Sequence, residues 1–225
     1  MSEVLFDLEH EYDAMLNQGI RLSGEDRDFF VAGRIQDLKA QLPRSPRRIL
    51  DFGCGTGNAS NYLSRTFPGA QVVGIDTSAR ALAYAEEHFA SRNIRFETVA
   101  DFRARDEFDL CYTNGVFHHI EPAERPGALG AIRGALQPGG YFALFENNPW
   151  NPGTRVVMSR IPFDRDAQTL TPPDAKRLLT DNGFEAKLPV RSLFYFPRFL
   201  SGLRFLEPSL ARLPLGAQYY VLAQK

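Results

Sequence analysis

The sequence has few cysteines, almost no net charge and no long apolar run. Two of its 225 residues are cysteine, Cys54 and Cys111, and no cysteine or histidine spacing typical of a zinc site occurs. We predict that neither cysteine forms a structural disulfide, because one lies in a glycine-rich loop and the other in a predicted buried strand. Such cysteine usage is typical of a reducing compartment, and we therefore expect a cytoplasmic protein.

The balance of 26 basic and 27 acidic residues gives a formal net charge of -1. This balance provides no electrostatic reason to expect nucleic acid or an acidic membrane as a partner. No apolar run approaches the roughly 20 residues needed to span a bilayer, and the acidic start of the chain lacks the features of a signal peptide. We expect no nucleic-acid partner and no stable membrane insertion, while the sequence does not indicate an oligomeric state.

A glycine-rich loop joins the first predicted strand, residues 48–52, to a helix that begins near residue 58. Gly53 and Gly55 can adopt backbone angles closed to other residues, and the new helix offers unpaired N–H groups to a ligand. The second predicted strand, which starts at residue 71, ends at Asp76, whose carboxylate can accept both hydroxyls of a ribose. These features predict a nucleotide-like ligand at the carboxyl ends of the first two strands.

The glycine spacing distinguishes between nucleotide ligands. A dinucleotide site uses G-x-G-x-x-G, but the third glycine position, counted from Gly53, is occupied by Asn58. This spacing argues against a nicotinamide-dependent reductase. The G-x-G-x-G run, with Asp51 before it, resembles the first motif of the class I S-adenosylmethionine-dependent methyltransferases. A tight strand-to-helix turn in another α/β protein is the alternative.

The resemblance implies S-adenosyl-L-methionine as the cofactor. In that family the three glycines, here Gly53, Gly55 and Gly57, border the methionine part of the cofactor. The resemblance also implies that Asp51 lies near the ammonium and that Asp76 holds the ribose.

Asp101 and Phe102 follow the third predicted strand, residues 94–99. Here the family has an acid that receives the amino group of adenine, with a neighbouring apolar side chain against the ring. The resemblance therefore implies that Asp101 and Phe102 contact the adenine. A solvated carboxylate in an ordinary loop is the alternative.

The loop after the fourth predicted strand, residues 108–113, carries Asn114, His118 and His119. Ligands of open α/β sheets bind where the strand order reverses, which we expect between the first and fourth strands. The family often has an apolar residue, one or two histidines and an isoleucine in this loop. We assign Asn114 to the cofactor and His119 to the acceptor, and we predict His118 as a general base because its reference pKa lies near neutrality. A histidine that caps a helix or fills a loop is the alternative.

The loop after the fifth predicted strand, residues 140–146, carries polar groups stiffened by prolines. Glu146 is a second candidate base, and we predict that Asn147, Asn148 and Trp150 contact the acceptor. DNA methyltransferases have an Asn-Pro-Pro-aromatic box after their fourth strand. Because this loop follows the fifth strand and has one proline in the matching place, we reject that assignment.

The same loop resembles that of a bacterial small-molecule subset of the family. Members of the subset have an acid, polar residues, Asn-Pro-aromatic-Asn-Pro and then Phe-Asp-x-Asp-Ala, here residues 146–152 and 163–167. The subset commonly has histidine at the position of Asn147, which cannot accept a proton. The chain therefore either uses another base or lacks the activity, and the subset does not identify an acceptor.

Short apolar strands alternate with amphipathic helices from residue 47 onward, which predicts a parallel sheet with right-handed crossovers. The predicted helices cover residues 57–66, 78–90, 121–136 and 172–182, and a sixth strand lies within residues 184–196. The seventh strand, residues 218–223, is expected antiparallel between the fifth and sixth. Together with the resemblance, this pattern predicts an α/β, Rossmann-like fold with a seven-stranded sheet of order 3-2-1-4-5-7-6 and added N-terminal helices.

We predict one domain over residues 1–225. Its parts are an N-terminal helical lid (1–46), a cofactor-binding core (47–146) and a substrate-side insertion with the final strands (147–225).

Two helices are predicted in the lid, at residues 3–18 and from Ser23 to about Leu42. The resemblance implies that Tyr12 lies near the sulfonium of the cofactor, and an ordinary aromatic on an amphipathic face is the alternative. The aromatic segment 194–206 is predicted to cover the pocket, with a membrane or lipid contact as the alternative.

These features predict methyl transfer from S-adenosylmethionine to an oxygen, nitrogen or carbon atom of a small-molecule acceptor. One alternative is a protein that binds the cofactor without transferring methyl, which the absence of a base at Asn147 favours. Another is a methyltransferase that acts on a lipid-linked or saccharide substrate.

Overall fold

The computed structural model describes residues 23–161 and 167–225 of the chain. The predicted helix over residues 3–18 and the predicted cofactor contact Tyr12 lie outside the described residues. So does most of the predicted Phe-Asp-x-Asp-Ala segment at residues 163–167.

The described residues form a seven-stranded sheet of order β3-β2-β1-β4-β5-β7-β6. Its strands are β1 (Arg48–Phe52), β2 (Gln71–Asp76), β3 (Ile94–Thr98), β4 (Phe108–Asn114), β5 (Leu136–Asn147), β6 (Arg191–Leu193) and β7 (Gln218–Gln224). The first five are parallel, while β7 pairs antiparallel with both β5 and β6. The predicted strand order and the predicted direction of the seventh strand are confirmed.

Helices cover both faces of the sheet. They are α1 (Arg27–Gln41), α2 (Asn58–Thr66), α3 (Ala79–Phe89), α4 (Arg125–Ala135), α5 (Pro152–Arg160), α6 (Pro172–Asp181) and the short α7 (Glu207–Leu210). Two apolar clusters result, one on each face, and α1 contributes Val31, Ile35 and Leu38 to one of them. The central strands are buried on both faces, which explains why they appear in the sequence as short continuous apolar runs.

Two predicted helix starts were wrong. The first described helix begins at Arg27 and not at Ser23, because the N-cap is Asp26, whose Oδ1 accepts a hydrogen bond of 2.8 Å from the Phe29 N–H. Helix α4 begins at Arg125 and not at residue 121, since residues 122–124 form a turn and Pro126 occupies the first helical turn.

The predicted start of the fifth strand was also wrong. Strand β5 begins at Leu136, which pairs with Phe108, and the register then shifts before Tyr141 pairs with Leu110. Pro138, Gly139 and Gly140 lie within this irregular part of the strand, where Gly139 has a φ of 78°.

The aromatic segment ends in a 3₁₀ helix, Arg198–Leu206, none of whose residues is buried. Phe199 is 80% exposed and Phe205 is 74% exposed. The residues just before this helix, 194–197, instead line the large cavity described below. Within residues 23–161 and 167–225, no helix has the length and apolarity needed to cross a membrane.

Candidate active site

A cavity of about 600 Å³ opens at the carboxyl edge of the sheet. Its floor includes Asp51, the glycine-rich loop, the loop after β4 and the adjoining ends of β5 and β7. Its walls come from the first half of α1, from α5 and from residues 194–197. This volume lies within the range of small-molecule sites, and the position is the switch point of the sheet, where β1 and β4 are neighbours.

The glycine-rich loop has the left-handed backbone that its glycines predict. Gly53, Gly55 and Gly57 have φ values of 73°, 53° and 82°. A Cβ at Gly53 would overlap Cγ2 of Val116 in the loop after β4, whereas a Cβ at Gly55 would meet no atom within 4 Å. Gly53 therefore allows two ligand-facing loops to approach each other, and Gly55 leaves open space beside the backbone. Both line the cavity, while Gly57 is the N-cap of α2.

Asp51 lies at the cavity floor and is buried. Burial raises the pKa of its carboxyl to about 7, although the Ser60 hydroxyl, which donates a hydrogen bond of 2.6 Å, and the Arg34 charge both oppose this rise. A ligand cation would stabilise the ionised carboxylate. The structure thus places Asp51 where the predicted contact with an ammonium is possible.

Asp76 lies at the end of β2 and is tied to the glycine-rich loop. Its Oδ2 accepts a hydrogen bond of 2.8 Å from the Gly55 N–H, and its Oδ1 accepts one of 2.9 Å from the Ser78 N–H. The carboxylate does not line the large cavity. In this arrangement it connects the glycine-rich loop to the start of α3 and so holds the shape of the loop.

Asp101 and Phe102 follow β3, two strands away from β1 along the sheet. Thr98 Oγ1 donates a hydrogen bond of 2.6 Å to Asp101 Oδ2, and the Asp101 side chain is exposed. Phe102 is half-buried, with its ring centroid 6.0 Å from that of Phe108. Neither residue lines the large cavity, and both lie beyond Asp76 in the order of the strands.

His118 and Glu146 form a buried pair beside the cavity. His118 Nδ1 lies 2.5 Å from Glu146 Oε2, and the Phe117 N–H donates a hydrogen bond of 2.9 Å to Oε1 of the same carboxylate. His118 lines the cavity, but Glu146 does not. The structure therefore places His118 at the cavity surface and Glu146, the other candidate base, behind it.

The remaining predicted contacts, Asn114 to the cofactor and four others to the acceptor, divide into two groups. Asn114, His119 and Asn147 line the cavity, whereas Asn148 and Trp150 do not.

Asn148 is buried and holds a neighbouring loop. Its Nδ2 donates hydrogen bonds to the carbonyl oxygens of Pro214 (3.0 Å) and Gly216 (2.8 Å), and its Oδ1 accepts one from the Trp150 N–H (3.0 Å). Trp150 is 46% exposed. The loop after β5 thus has a structural role at Asn148 that its sequence did not reveal.

Arg34 is a cavity residue that the sequence analysis missed. It is buried, and it donates hydrogen bonds from Nε to the Tyr112 hydroxyl (3.1 Å) and from Nη1 to Gln218 Oε1 (2.8 Å). It lies on the same face of α1 as Val31 and Leu38. An arginine on the apolar face of an amphipathic helix was the available signal.

An aromatic cluster on the cavity wall was also missed. The ring centroids of Phe29 and Phe30 are 5.3 Å apart, and that of Phe194 lies 5.7 Å and 4.9 Å from them. Two adjacent phenylalanines in the first turn of α1 were visible in the sequence. Phe194 could not be placed, since it comes from a loop with an unusual backbone, φ 63°, more than 160 residues away.

Residues 50–142 match the model of a family described as a methyltransferase domain. A trans-aconitate 2-methyltransferase of Rhodopseudomonas palustris (strain BisB18) is 33% identical over 133 residues, which are 57% of this chain and 50% of that protein. A protein of the same name from Afipia carboxidovorans is 37% identical over 161 residues, 71% of this chain and 59% of that protein. The chain spans about half the length of the curated relatives it matches.

The fold also occurs in solved structures. An S-adenosylmethionine-dependent methyltransferase from Mesorhizobium loti superposes with a TM-score of 0.62 at 23% identity, over 84% of this chain and 96% of that one. The predicted Rossmann-like fold is confirmed. The family match and the named relatives support the predicted enzyme class and the predicted cofactor.

Proposed function

We propose that this protein transfers a methyl group from S-adenosylmethionine to an oxygen, nitrogen or carbon atom of a small-molecule acceptor. The observation that carries the proposal is that one cavity contains both Asp51 with the glycine-rich loop and His118 of the loop after β4. The first group is suited to a cofactor that carries an ammonium, and the second supplies a proton acceptor beside it.

The cofactor would lie along the carboxyl ends of β1, β2 and β3. We assign the methionine part to Gly53 and Gly55, with the ammonium at Asp51. Asp76 would hold the ribose, and Asp101 with Phe102 would contact the adenine. This order follows the neighbouring strands of the sheet.

The bound cofactor supplies an activated methyl group whose leaving group is a neutral thioether. The protein must therefore mainly orient the acceptor and exclude water, and a base is needed only when the nucleophile arrives protonated. His118 is the residue that we assign to this proton. When Nδ1 donates its hydrogen to Glu146, Nε2 of the neutral ring is the atom able to accept a proton.

Glu146 is in this account a positioning residue. Its carboxylate is held by the Phe117 N–H and faces Nδ1 of His118, so it selects the tautomer and the ring orientation. The base therefore does not require a side chain at position 147, where the bacterial subset commonly has histidine. Assignment to that subset stays a prediction, as does the single-domain organisation.

The acceptor is open to direct tests. Relatives named for trans-aconitate make that compound the first to try. A fraction of bacterial metabolites below about 3 kDa, supplied with S-adenosylmethionine labelled in the methyl group, provides a second and broader test. Transfer of label to a small molecule by the wild-type protein supports the proposal, whereas cofactor binding without transfer to any fraction favours the alternative of a binding protein.

A further inference from the structure

We propose that the acceptor is an apolar molecule carrying one hydroxyl group, such as an alkyl-substituted phenol, and not a multiply charged acid. This inference rests on the proposed function and names the substrate class of the same cavity. It follows from how polar and apolar groups are distributed over the cavity surface.

Apolar side chains cover much of the cavity surface on three sides. Helix α1 contributes Phe29, Phe30 and Val31, helix α5 and its end contribute four aliphatic side chains, and residues 194–197 contribute two phenylalanines, a tyrosine and a proline. The aliphatic side chains are Val156, Val157, Met158 and Ile161. A ligand enclosed by such walls gains free energy mainly from its own apolar surface.

On the floor of the cavity, polar groups follow neighbouring strands. His118 follows β4, and Asn147 at the end of β5 pairs with Gln218 at the start of β7. The Asn147 amide oxygen accepts a hydrogen bond of 3.1 Å from Gln218 Nε2. An acceptor with a polar end and an apolar body would place the polar end at this floor beside His118 and its body between the walls.

The arginines at the cavity are engaged by the protein. Arg204 donates a hydrogen bond of 2.8 Å to Glu25 and lies 4.5 Å above the ring of Phe29. Arg34 donates to Tyr112 and Gln218, as described above.

Arg27 donates a hydrogen bond of 3.2 Å to the Thr56 hydroxyl. A ligand with several carboxylates would have to compete with these partners and would lose its own hydration inside apolar walls.

The test is calorimetry on the full chain saturated with S-adenosylhomocysteine. The probes are phenol, 4-ethylphenol, 4-butylphenol and trans-aconitate. We expect the affinity to rise by roughly tenfold for each added pair of methylene groups, because each buried methylene contributes about fourfold at full burial. We expect trans-aconitate to bind more weakly than 4-butylphenol.

Two variants test whether the cavity wall causes the rise in affinity with alkyl chain length. Phe30→Ser and Val156→Asn both place a polar group on the cavity wall, and Val156 is exposed enough, at 44%, for the second variant to fold. Each should weaken 4-butylphenol by about tenfold while changing phenol little, since phenol lacks the chain that these side chains contact. Phe205→Ser removes an aromatic ring outside the cavity and should leave both affinities unchanged.

The inference is overturned if the affinity stays the same from phenol to 4-butylphenol, or if none of the phenols binds. It is also overturned if trans-aconitate binds more tightly than 4-butylphenol. Failure of the protein to bind S-adenosylhomocysteine would instead overturn the proposed function. The two failures are distinguished because the cofactor product is titrated first and alone.

Discussion

His118 and Glu146 act on each other directly: Nδ1 of the imidazole lies 2.5 Å from Oε2 of the carboxylate, and both side chains are buried. His118 lies in the loop after β4, and Glu146 lies near the end of the neighbouring strand β5. Although the sequence presents them as alternative bases, the geometry makes them one unit with one group at the cavity.

Because His118 and Glu146 act as one unit, their substitutions should have non-additive effects on kcat. Once an acceptor is identified, His118→Ala should lower kcat by about a hundredfold or more, because general base catalysis typically contributes 10²–10⁴. Glu146→Ala should also lower kcat, and the double variant should be no slower than His118→Ala alone. Affinity for S-adenosylhomocysteine, measured by calorimetry, should stay nearly unchanged in all three. Multiplicative losses would show that Glu146 acts separately, and full activity of both single variants would leave positioning as the sole source of catalysis.

Asp76→Ala should weaken binding of S-adenosylhomocysteine by about 1.5–3 kcal/mol, the range for lost charge-assisted hydrogen bonds. The structure adds a second reason, since the carboxylate also accepts from the Gly55 N–H and holds the glycine-rich loop. Asp181→Ala is the control, because this exposed aspartate at the end of α6 does not line the cavity and its loss should leave the affinity unchanged. Unchanged affinity in Asp76→Ala would remove the ribose assignment.

Gly53→Ala and Gly55→Ala distinguish the cost of backbone strain from the cost of a clash between the glycine-rich loop and the loop after β4. Both positions have positive φ, so each substitution should cost about 1–2 kcal/mol of stability. Only at Gly53 would the new methyl group overlap Val116, so Gly53→Ala should unfold at a clearly lower temperature than Gly55→Ala. Adding Val116→Ala should recover part of the loss. Equal melting temperatures for the two glycine variants would contradict the close approach of the loops.

The buried carboxyl of Asp51 predicts a pH dependence of cofactor binding. Its pKa of about 7 means that it holds a proton over much of the range below neutrality. A bound ammonium would favour the ionised form and lower this pKa, so binding should release a proton and affinity should rise as pH rises toward 7. Between pH 6 and 7.5 we expect an increase of nearly tenfold in affinity for S-adenosylhomocysteine.

In the protein without ligand, the same raised pKa makes stability change with pH in the direction opposite to the change in affinity. Because the folded carboxyl is protonated more readily than its ordinary pKa of 3.8 would allow, its contribution to stability should fall as pH rises from about 4 to 7. Asp51→Asn should remove the pH dependence of affinity, measured by calorimetry, and this contribution to the pH dependence of stability, measured by thermal unfolding of the variant beside the wild type. A wild-type affinity that is flat across pH 6 to 7.5 would mean that Asp51 does not meet the ammonium.

The sheet was predictable because short segments rich in apolar residues alternate along the chain with helical patterns and with turn residues. Strands β1 and β2 have the predicted bounds, residues 48–52 and 71–76. Helix starts were less predictable, since Ser23 and Asp26 are both good N-cap residues and only the fold selects between them.

The floor of the site was more predictable than its walls. Asp51, Gly53 and His118 lie next to strand ends, so their positions follow from the order of the strands. Phe194 and Arg204 reach the cavity from an irregular segment late in the chain, and no periodic pattern links them to α1. Asn148 appeared to be an acceptor contact because the sequence does not show which loop its amide holds.

The most direct test of the account is isothermal titration calorimetry of the purified protein with S-adenosylhomocysteine and, separately, with NAD. The G-x-G-x-G loop, Asp51 and Asp76 predict binding of S-adenosylhomocysteine at one site, with an affinity that Asp76→Ala reduces, and no binding of NAD. Heat on adding NAD, with none on adding S-adenosylhomocysteine, would contradict the assignment of the site.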